Sequence, residues 1–303
     1  MRTSRITLAA IAAITAVSLS ACAAPAGTPE TDDGLIHLVA STNVYGDIAS
    51  KIGGKLVQVT SILDDPSQDP HSFEANAQVQ LDLSKADIVI ENGGGYDDWA
   101  DTLLAGAKNP DALVLNASDI SGFDQKPATG GFNEHVFYDF PTMKKLADEL
   151  ADVFGAIDTA NKDTFAANAK NFDDALVDLE AREAAIKATH AGTGAAITEP
   201  VPGYLLEASG LVNVTPTEFS EAVEEGTDVS PAVLADTLAT FSDGRAKLLV
   251  YNAQTSGPET EQVLAEAKKD GVPTVPVTET LPAGDDYLSW MSANLDAIEA
   301  ALS

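Results

Sequence analysis

Short apolar runs recur along this chain of 303 residues, each followed by a segment of helical length, and that alternation restricts the fold more than any other feature. Residues 35–40, 55–63, 86–92 and 112–116 read as strands, and Val44 to Ile52, Asn76 to Ser84 and Asp98 to Ala107 read as helices among them. Strands of this kind, apolar on both faces and spaced by crossover helices, assemble into parallel sheets. Such sheets bind ligands at the loops leaving the carboxyl ends of their strands. Pro141 opens a further helix running to about Phe154. The pattern then starts afresh: residues 195–198, 211–215, 246–251 and 272–277 read as strands, with helices over Gly203 to Ser209, Pro231 to Ser242, Glu259 to Asp270 and Tyr287 to Leu302.

Between the two series lies a segment without Pro or Gly, from Asp158 to about Thr189. Its apolar residues Phe165, Phe172, Leu176, Leu179 and Ile186 recur at spacings of three, four and seven. This is one helix of about 30 residues. So long a helix between two α/β series acts as a rigid connector rather than as one more crossover. The expected class is therefore α/β, two lobes with parallel sheets joined by one long helix: residues 34–157, the connector 158–190, and residues 191–303.

The first residues point to a compartment. Arg2 and Arg5 precede an apolar stretch from Leu8 to Leu19, which is closed by Leu19-Ser20-Ala21-Cys22. The stretch is short for a spanning helix, which needs about 20 residues, and small residues before Cys22 suit a cleavage site. It resembles a bacterial lipobox, so residues 1–21 are expected to be a signal peptide and Cys22 a diacylated N-terminus. Cys22 is the only cysteine and can form no intramolecular disulfide. Residues 22–33, rich in Ala, Pro, Gly, Thr and Asp, read as a flexible tether. The protein is then expected outside the cytoplasm, lipid-anchored on the outer face of the cell membrane. With 47 acidic against 17 basic residues the formal net charge is −30, a field that repels nucleic acid and gathers cations. Most of those carboxylates do no more than keep the surface solvated.

Donor chemistry concentrates at four positions. Of four histidines, His71 lies in Asp69-Pro70-His71-Ser72-Phe73-Glu74 and His135 in Asn133-Glu134-His135-Val136-Phe137-Tyr138-Asp139. Both segments are acidic and aromatic, and Pro70 stiffens the turn presenting His71. In the second lobe Glu199 follows a strand and precedes Pro200, and Glu279 ends the last strand in Thr278-Glu279-Thr280. Imidazole and carboxylate together are the mixed donors that Zn²⁺, Mn²⁺ and Fe²⁺ accept. The other histidines read as structural: His37 lies within a strand, and His190 ends the connector, where a cation favours the helix dipole. Glu74, Glu134 and Asp139 flank the imidazoles and could orient them or face solvent. Gly93-Gly94-Gly95 reads as a strand-to-helix turn, lacking the Lys and Ser/Thr of a phosphate loop. Trp99 and Trp290 read as core.

The order and spacing of several stretches resemble the cluster A-I, or TroA-like, solute-binding lipoproteins of bacterial Zn²⁺/Mn²⁺ ATP-binding-cassette importers. These stretches are Val39 to Asn43, Asp69 to Glu74, Ala86 to Gly93, Asn133 to Asp139, Gly203 to Leu211 and Tyr287 to Asn294. The resemblance covers nearly the whole chain beyond the leader. It implies two α/β lobes on a rigid helix with one divalent ion, Mn²⁺ or Zn²⁺, held between them as the transported substrate. Ligands carry over as His71 and His135 from the first lobe, Glu199 at the third position and Glu279 at the fourth. The third position is often His in zinc-type members and Glu in manganese-type members. The fourth is commonly Asp, so Glu279 departs by one methylene, with Asp285 and Asp286 as alternatives. The histidine-rich loop of many zinc-specific members is missing, since residues 120–134 hold no histidine. Two imidazoles and two carboxylates tilt the site towards Mn²⁺, although affinity order at N/O sites favours Zn²⁺. The expected partners are a membrane permease and, through the lipid anchor, the membrane, with the protein a monomer, no nucleic acid and no catalysis. The rival readings are a metal-dependent hydrolase, whose ion would keep a position open for water, and a surface adhesin on the same fold.

Overall fold

Each apolar run becomes a strand, and the helix after each returns the chain to the same edge of the sheet, so successive strands lie parallel. The computed structural model describes residues 34–65, 73, 76–128 and 130–303. The leader, Cys22 and His71 fall outside the described residues. In the first lobe the order is β1 (Ile36–Thr42), α1 (Asn43–Gly53), β2 (Val57–Leu63), α2 (Ala77–Leu83), β3 (Ile88–Glu91), α3 (Asp98–Ala107), β4 (Leu113–Asn116) and α4 (Ala117–Ser121). Then come α5 (Phe140–Ile157) and the long α6 (Lys162–His190). The second lobe runs β5 (Gly194–Ile197), α7 (Gly203–Ala208), β6 (Val212–Asn213), α8 (Thr217–Glu224), α9 (Pro231–Ser242), β7 (Leu248–Asn252), α10 (Pro258–Lys269), β8 (Thr274–Val277) and α11 (Tyr287–Ala301).

Among the described residues there are two four-stranded sheets, in the orders β2-β1-β3-β4 and β6-β5-β7-β8. Both have the same plan, in which the first strand sits between the second and the third. The chain therefore leaves β1 and β3 in opposite directions, and β5 and β7 likewise. The gap outside the carboxyl ends of those strands is where open α/β sheets bind ligands.

The connector buries one narrow face. Phe165, Ala169, Phe172, Leu176, Leu179, Glu183 and Ile186 are its buried residues, spaced alternately by four and three. This is the a/d seam of a helix packed along its full length. Its 29 residues span about 43 Å at 1.5 Å per residue. It packs against α1 and α5 of the first lobe and α7 and α11 of the second. One continuous core accordingly includes Leu38 and Ile90 under the first sheet and Ile197 and Val250 under the second. Removing the apolar area of such a core from water is the main stabilising contribution to the fold.

Several boundaries differ from the sequence expectation for local reasons. The connector starts at Lys162, because the Asp158 carboxylate accepts hydrogen bonds from Ala160 N and Asn161 Nδ2 and makes a turn between α5 and α6. The run 211–215 pairs only over Val212–Asn213. Beyond it the Thr215 hydroxyl takes over, accepting from Ile197 N at 2.8 Å. Helices α4 and α8, too short for a clear period, were not expected. Trp290 is a core residue at 2 % exposure, and Trp99, partly buried, packs at a tilt on Phe73 with ring centroids 4.7 Å apart, against a smaller apolar cluster. Among the described residues no helix is long and apolar enough to cross a membrane.

Candidate metal centre

Three of the four expected ligands lie in described structure. Glu199 follows β5, Glu279 follows β8, and His135 leads into a 3-10 turn, Val136–Tyr138, ahead of α5. Two of them meet: His135 Nε2 is 3.6 Å from Glu279 Oε2. A third carboxylate joins them, with Glu224 Oε1 at 3.4 Å from the same nitrogen. Donor atoms of His135, Glu224 and Glu279 all lie within 4.8 Å of one another. That trio is the group of metal-donor side chains so arranged among the described residues. Its members are shielded from water: His135 is 0 % and Glu279 2 % exposed, and the Glu224 side chain 10 %. Glu199, also 3 % exposed, is not in the trio but feels the charges of Glu224 and Glu279, and its Oε2 has no hydrogen-bond partner in the described structure. A buried carboxylate oxygen without a donor is costly unless a cation serves it.

The alternatives to Glu279 fall elsewhere. Asp286 caps α11 through Ser289 N and pairs with Lys51 at 2.8 Å, and Asp285 lines a separate cleft beside Asn43 and Asp47. Neither is in the group around His135. Asp139 is likewise occupied, capping α5 through the N–H and hydroxyl of Thr142.

The residue that orients the imidazole is Asn133. Its Nδ2 donates to Pro200 O at 3.1 Å, and a carbonyl only accepts, so the amide is fixed with Oδ1 towards the histidine. That oxygen accepts from His135 N at 3.1 Å and lies 2.8 Å from His135 Nδ1. Nδ1 must therefore carry the hydrogen, which leaves Nε2 as the position facing the carboxylates. The segment is tied from both sides. Asn92, at the end of β3, donates to Glu134 O at 2.9 Å, and Tyr204 of α7 donates to Asn133 O at 2.7 Å. Gly93, Gly94 and Gly95 all have positive φ, 70°, 69° and 105°. A Cβ at Gly94 would stand 2.4 Å from the Phe132 ring, so a side chain there would push aside the approach to His135.

Glu279 is aimed in the same manner. Asn252, the last residue of β7, donates to its Oε1 at 2.7 Å. The Gln254 amide bridges the backbone, accepting from Thr280 N at 3.2 Å and donating to Thr280 Oγ1 at 2.8 Å. Tyr138 donates to Thr278 O at 2.7 Å, which couples the turn after His135 to the loop carrying Glu279. Tyr96 and Phe137 meet the imidazole edge-on, each with centroids 5.7 Å away.

Electrostatics follow from this crowding. Burial alone would push the His135 proton off, but the Glu224 charge and then the hydrogen bond and charge of Glu279 win, lifting its pKa to about 9. For Glu199, burial and then the charges of Glu224 and Glu279 raise the carboxyl to about 8. Without a cation the cage therefore holds protons at neutral pH, which a divalent ion would displace.

Sequence reasoning missed Glu224 and Asn133. Glu224 lies in Glu221-Ala222-Val223-Glu224-Glu225, a stretch that reads as a solvated helix end, and only the fold turns one of its carboxylates inward. Asn133 stands inside the motif around His135 but was passed over in favour of the charged neighbours. A neutral amide next to a ligand histidine was the available signal, since such rings usually donate their other nitrogen to a carbonyl-type acceptor.

Comparison with known proteins places the chain in a family. The model of the family described as "ZnuA: Zinc-uptake complex component A periplasmic" matches residues 38–301. The manganese ABC transporter substrate-binding lipoprotein scaA of Streptococcus gordonii is 24% identical over 304 residues, covering 95% of each chain. The manganese-binding lipoprotein MntA of Bacillus subtilis is 29% identical over 167 residues, 54% of this chain and 53% of that protein. Among solved structures, a crystal structure of ZnuA superimposes with a TM-score of 0.74 at 22% identity, covering 89% of this chain and 100% of that one. The binding protein FpvC of Pseudomonas aeruginosa in complex with Mn²⁺ gives 0.71 at 22% identity, with 88% and 98% covered. The laminin-binding adhesin Lmb of Streptococcus agalactiae gives 0.74 at 20% identity, with 88% and 100% covered. At these identities the structures speak for the fold.

Proposed function

The chain belongs to the family of periplasmic zinc-uptake complex component A, and from that premise we propose that it captures one divalent transition-metal ion, Mn²⁺ or Zn²⁺, between its lobes. It delivers the ion to the permease of an ATP-binding-cassette importer. The observation that carries this reading is the buried grouping of His135 and Glu279 within 3.6 Å, drawn from different lobes and enclosed at 0 % and 2 % exposure. Burying these groups together is costly unless a cation or a shared proton offsets their desolvation.

The proposed ligands are His71, His135, Glu199 and Glu279. His71 enters on its sequence motif and on the family resemblance. His135 enters through Nε2, the nitrogen left facing the carboxylates by Asn133. Glu199 is supported by its unpartnered buried Oε2 and Glu279 by the Asn252 amide that holds its other oxygen. Carboxylates supply the negative charge that a hard divalent ion requires and can chelate through both oxygens. The ion is cargo, and the chain performs no reaction on it. In keeping with the lipoprotein relatives, Cys22 is the acylated anchor after loss of residues 1–21, and 22–33 is the tether. The folded part, working as a monomer, divides into lobes 34–157 and 191–303 on the connector 158–190. The protein would then sit on the outer face of the bacterial cell membrane, beside its permease.

The test is metal content. Purified protein should hold about one Mn²⁺ or Zn²⁺ per chain by elemental analysis, and competition between the two for the stripped protein should rank them. His135→Ala and His71→Ala should each abolish tight binding. Full stoichiometry in both variants would refute the site.

A further inference from the structure

Glu224 occupies a place that the four proposed ligands do not account for. It ends α8 with Oε1 at 3.4 Å from His135 Nε2, closer than Glu279 at 3.6 Å. It also lines a cleft of about 670 Å³ that begins where the cage ends. On one side this cleft is formed by Gly130 to Glu134, on the other by residues of the second lobe. Its charged lining is Glu134, Glu207, Glu221, Glu224 and Glu225, with no Lys or Arg. Exposure falls inward along these groups: Glu207 and Glu225 are exposed, Glu134 and Glu221 half-buried, and Glu224 is 10 % exposed at the side chain, next to fully buried His135. The Glu224 charge also acts on the buried Glu199, whose Oε2 has no hydrogen-bond partner in the described structure.

We propose that Glu224 is itself a ligand of the bound ion, the one that receives a divalent cation from the acidic cleft and holds it against His135 and Glu279. This rests on the metal-capture reading above. Donors within 4.8 Å of one another can share one ion at metal–ligand distances of about 2.0–2.6 Å. A carboxylate beyond the four proposed ligands, His71, His135, Glu199 and Glu279, brings a fifth protein donor, more than the tetrahedral preference of zinc asks for. It therefore suits an ion such as Mn²⁺ that takes more oxygen ligands. The chain segment also fits the task. Glu224 ends an eight-residue helix, with exposed residues 225–228 after it, so its carboxylate is held at the inner end of the cleft by the helix end. Exposed glutamates at the mouth raise the local cation concentration, and of the glutamates lining the cleft among the described residues Glu224 is the one that also belongs to the cage.

The experiment uses the full chain in detergent, stripped of metal by chelator, with Mn²⁺ as the probe and stopped-flow readout through a Mn²⁺-sensitive dye. Glu224→Gln should release Mn²⁺ at least about tenfold faster than the unaltered protein, as expected on losing a ligand. Glu224→Asp, one methylene shorter, should fall between the two and serves if the Gln variant does not fold. Glu221→Gln, on the cleft wall, should leave release unchanged and slow association only, an effect that salt removes. Release within about twofold of the unaltered rate in both Glu224 variants would overturn the proposal. So would losses confined to association and equal at Glu221 and Glu224, which would reduce Glu224 to part of the general field. Failure of the unaltered protein to bind Mn²⁺ or Zn²⁺ at all would instead overturn the metal-capture reading.

Discussion

Glu183 gives the most exacting test of the fold energetics. It sits in the apolar seam of α6 at 5 % exposure, its Oε1 without a hydrogen-bond partner in the described structure. The nearby cation Lys144 is committed to Glu180 at 2.6 Å. Burial first, and then the charges of Glu180 and Asp139, push the Glu183 carboxyl from its ordinary 4.5 up to about 8. The folded protein thus holds a proton that the unfolded chain gives up between those values. By linkage, stability is highest near the lower pH and falls as pH rises towards about 8. At neutral pH, holding that proton costs about 3 kcal/mol, since each tenfold in proton affinity is about 1.4 kcal/mol. Relaxation of the site around the group reduces this to about 1.5 kcal/mol. Glu183→Gln removes the cost while keeping shape, so the melting temperature should rise by about 3–5 °C at neutral pH. The assay is scanning calorimetry of chelator-treated protein, the unaltered chain against the variant, at about pH 5 and about pH 8. The gain should be small at the lower pH and full at the higher. A gain equal at both, or a loss at the higher pH, would refute the claim that the folded state strains to keep this acid neutral.

Metal binding should expel protons, because His135 with a pKa of about 9 and Glu199 with about 8 are protonated in the cation-free cage at neutral pH. Affinity for Mn²⁺ should therefore climb with pH up to about 8–9 and release at least about one proton per ion by calorimetry in two buffers. A flat profile between about pH 6 and 8 would contradict it. Asn133→Ala should lower Mn²⁺ affinity by about 10- to 100-fold by freeing the imidazole, read by equilibrium dye competition; an unchanged constant would remove Asn133 from the site. At an ion concentration about 100 times the dissociation constant the fold should gain about 2.7 kcal/mol. In calorimetry chelation should reverse that rise in melting temperature. Glu279→Gln should weaken Mn²⁺ more than Zn²⁺ in elemental competition, and equal losses would count against a carboxylate basis for metal choice.

The class of fold was legible because most strands are short apolar runs bounded by Gly, Pro or Asn and separated by helical segments, and the connector because its seam repeats unbroken from Phe165 to Ile186; the order of strands within each sheet was not, since it depends on which edge each crossover takes. Glu199 and Glu279 could be placed at a sheet's carboxyl edge from sequence because each directly follows an apolar strand, whereas His135 was marked only by its acidic and aromatic neighbours, and the structure brings His135 and Glu279 together. Glu224 was not legible. Its helix has only Phe219 and Val223 to mark an inner face, and its neighbours Glu221 and Glu225 carry the same charge, so nothing local says which carboxylate turns inward. That choice is made by the packing of α8 against the second sheet, a property of the whole lobe. Asp139 was left open between the imidazole and solvent. The fold gives it a third place, because the N–H and hydroxyl of Thr142 at the start of α5 both donate to its Oδ2.

The Asn133 amide has one end on the imidazole of His135 and the other on the carbonyl of Pro200, the residue next to Glu199. One amide thus ties the ring's tautomer to a hold on the other lobe. Drawing the lobes apart pulls the amide from one of its two holds, and whichever gives way, either the imidazole loses the acceptor that keeps its proton on Nδ1 or the Glu199 loop loses its tether. Grip on the cargo would then slacken at the onset of opening, before the ligands have separated, so a permease that levers the lobes apart by a small distance would find the ion already half released.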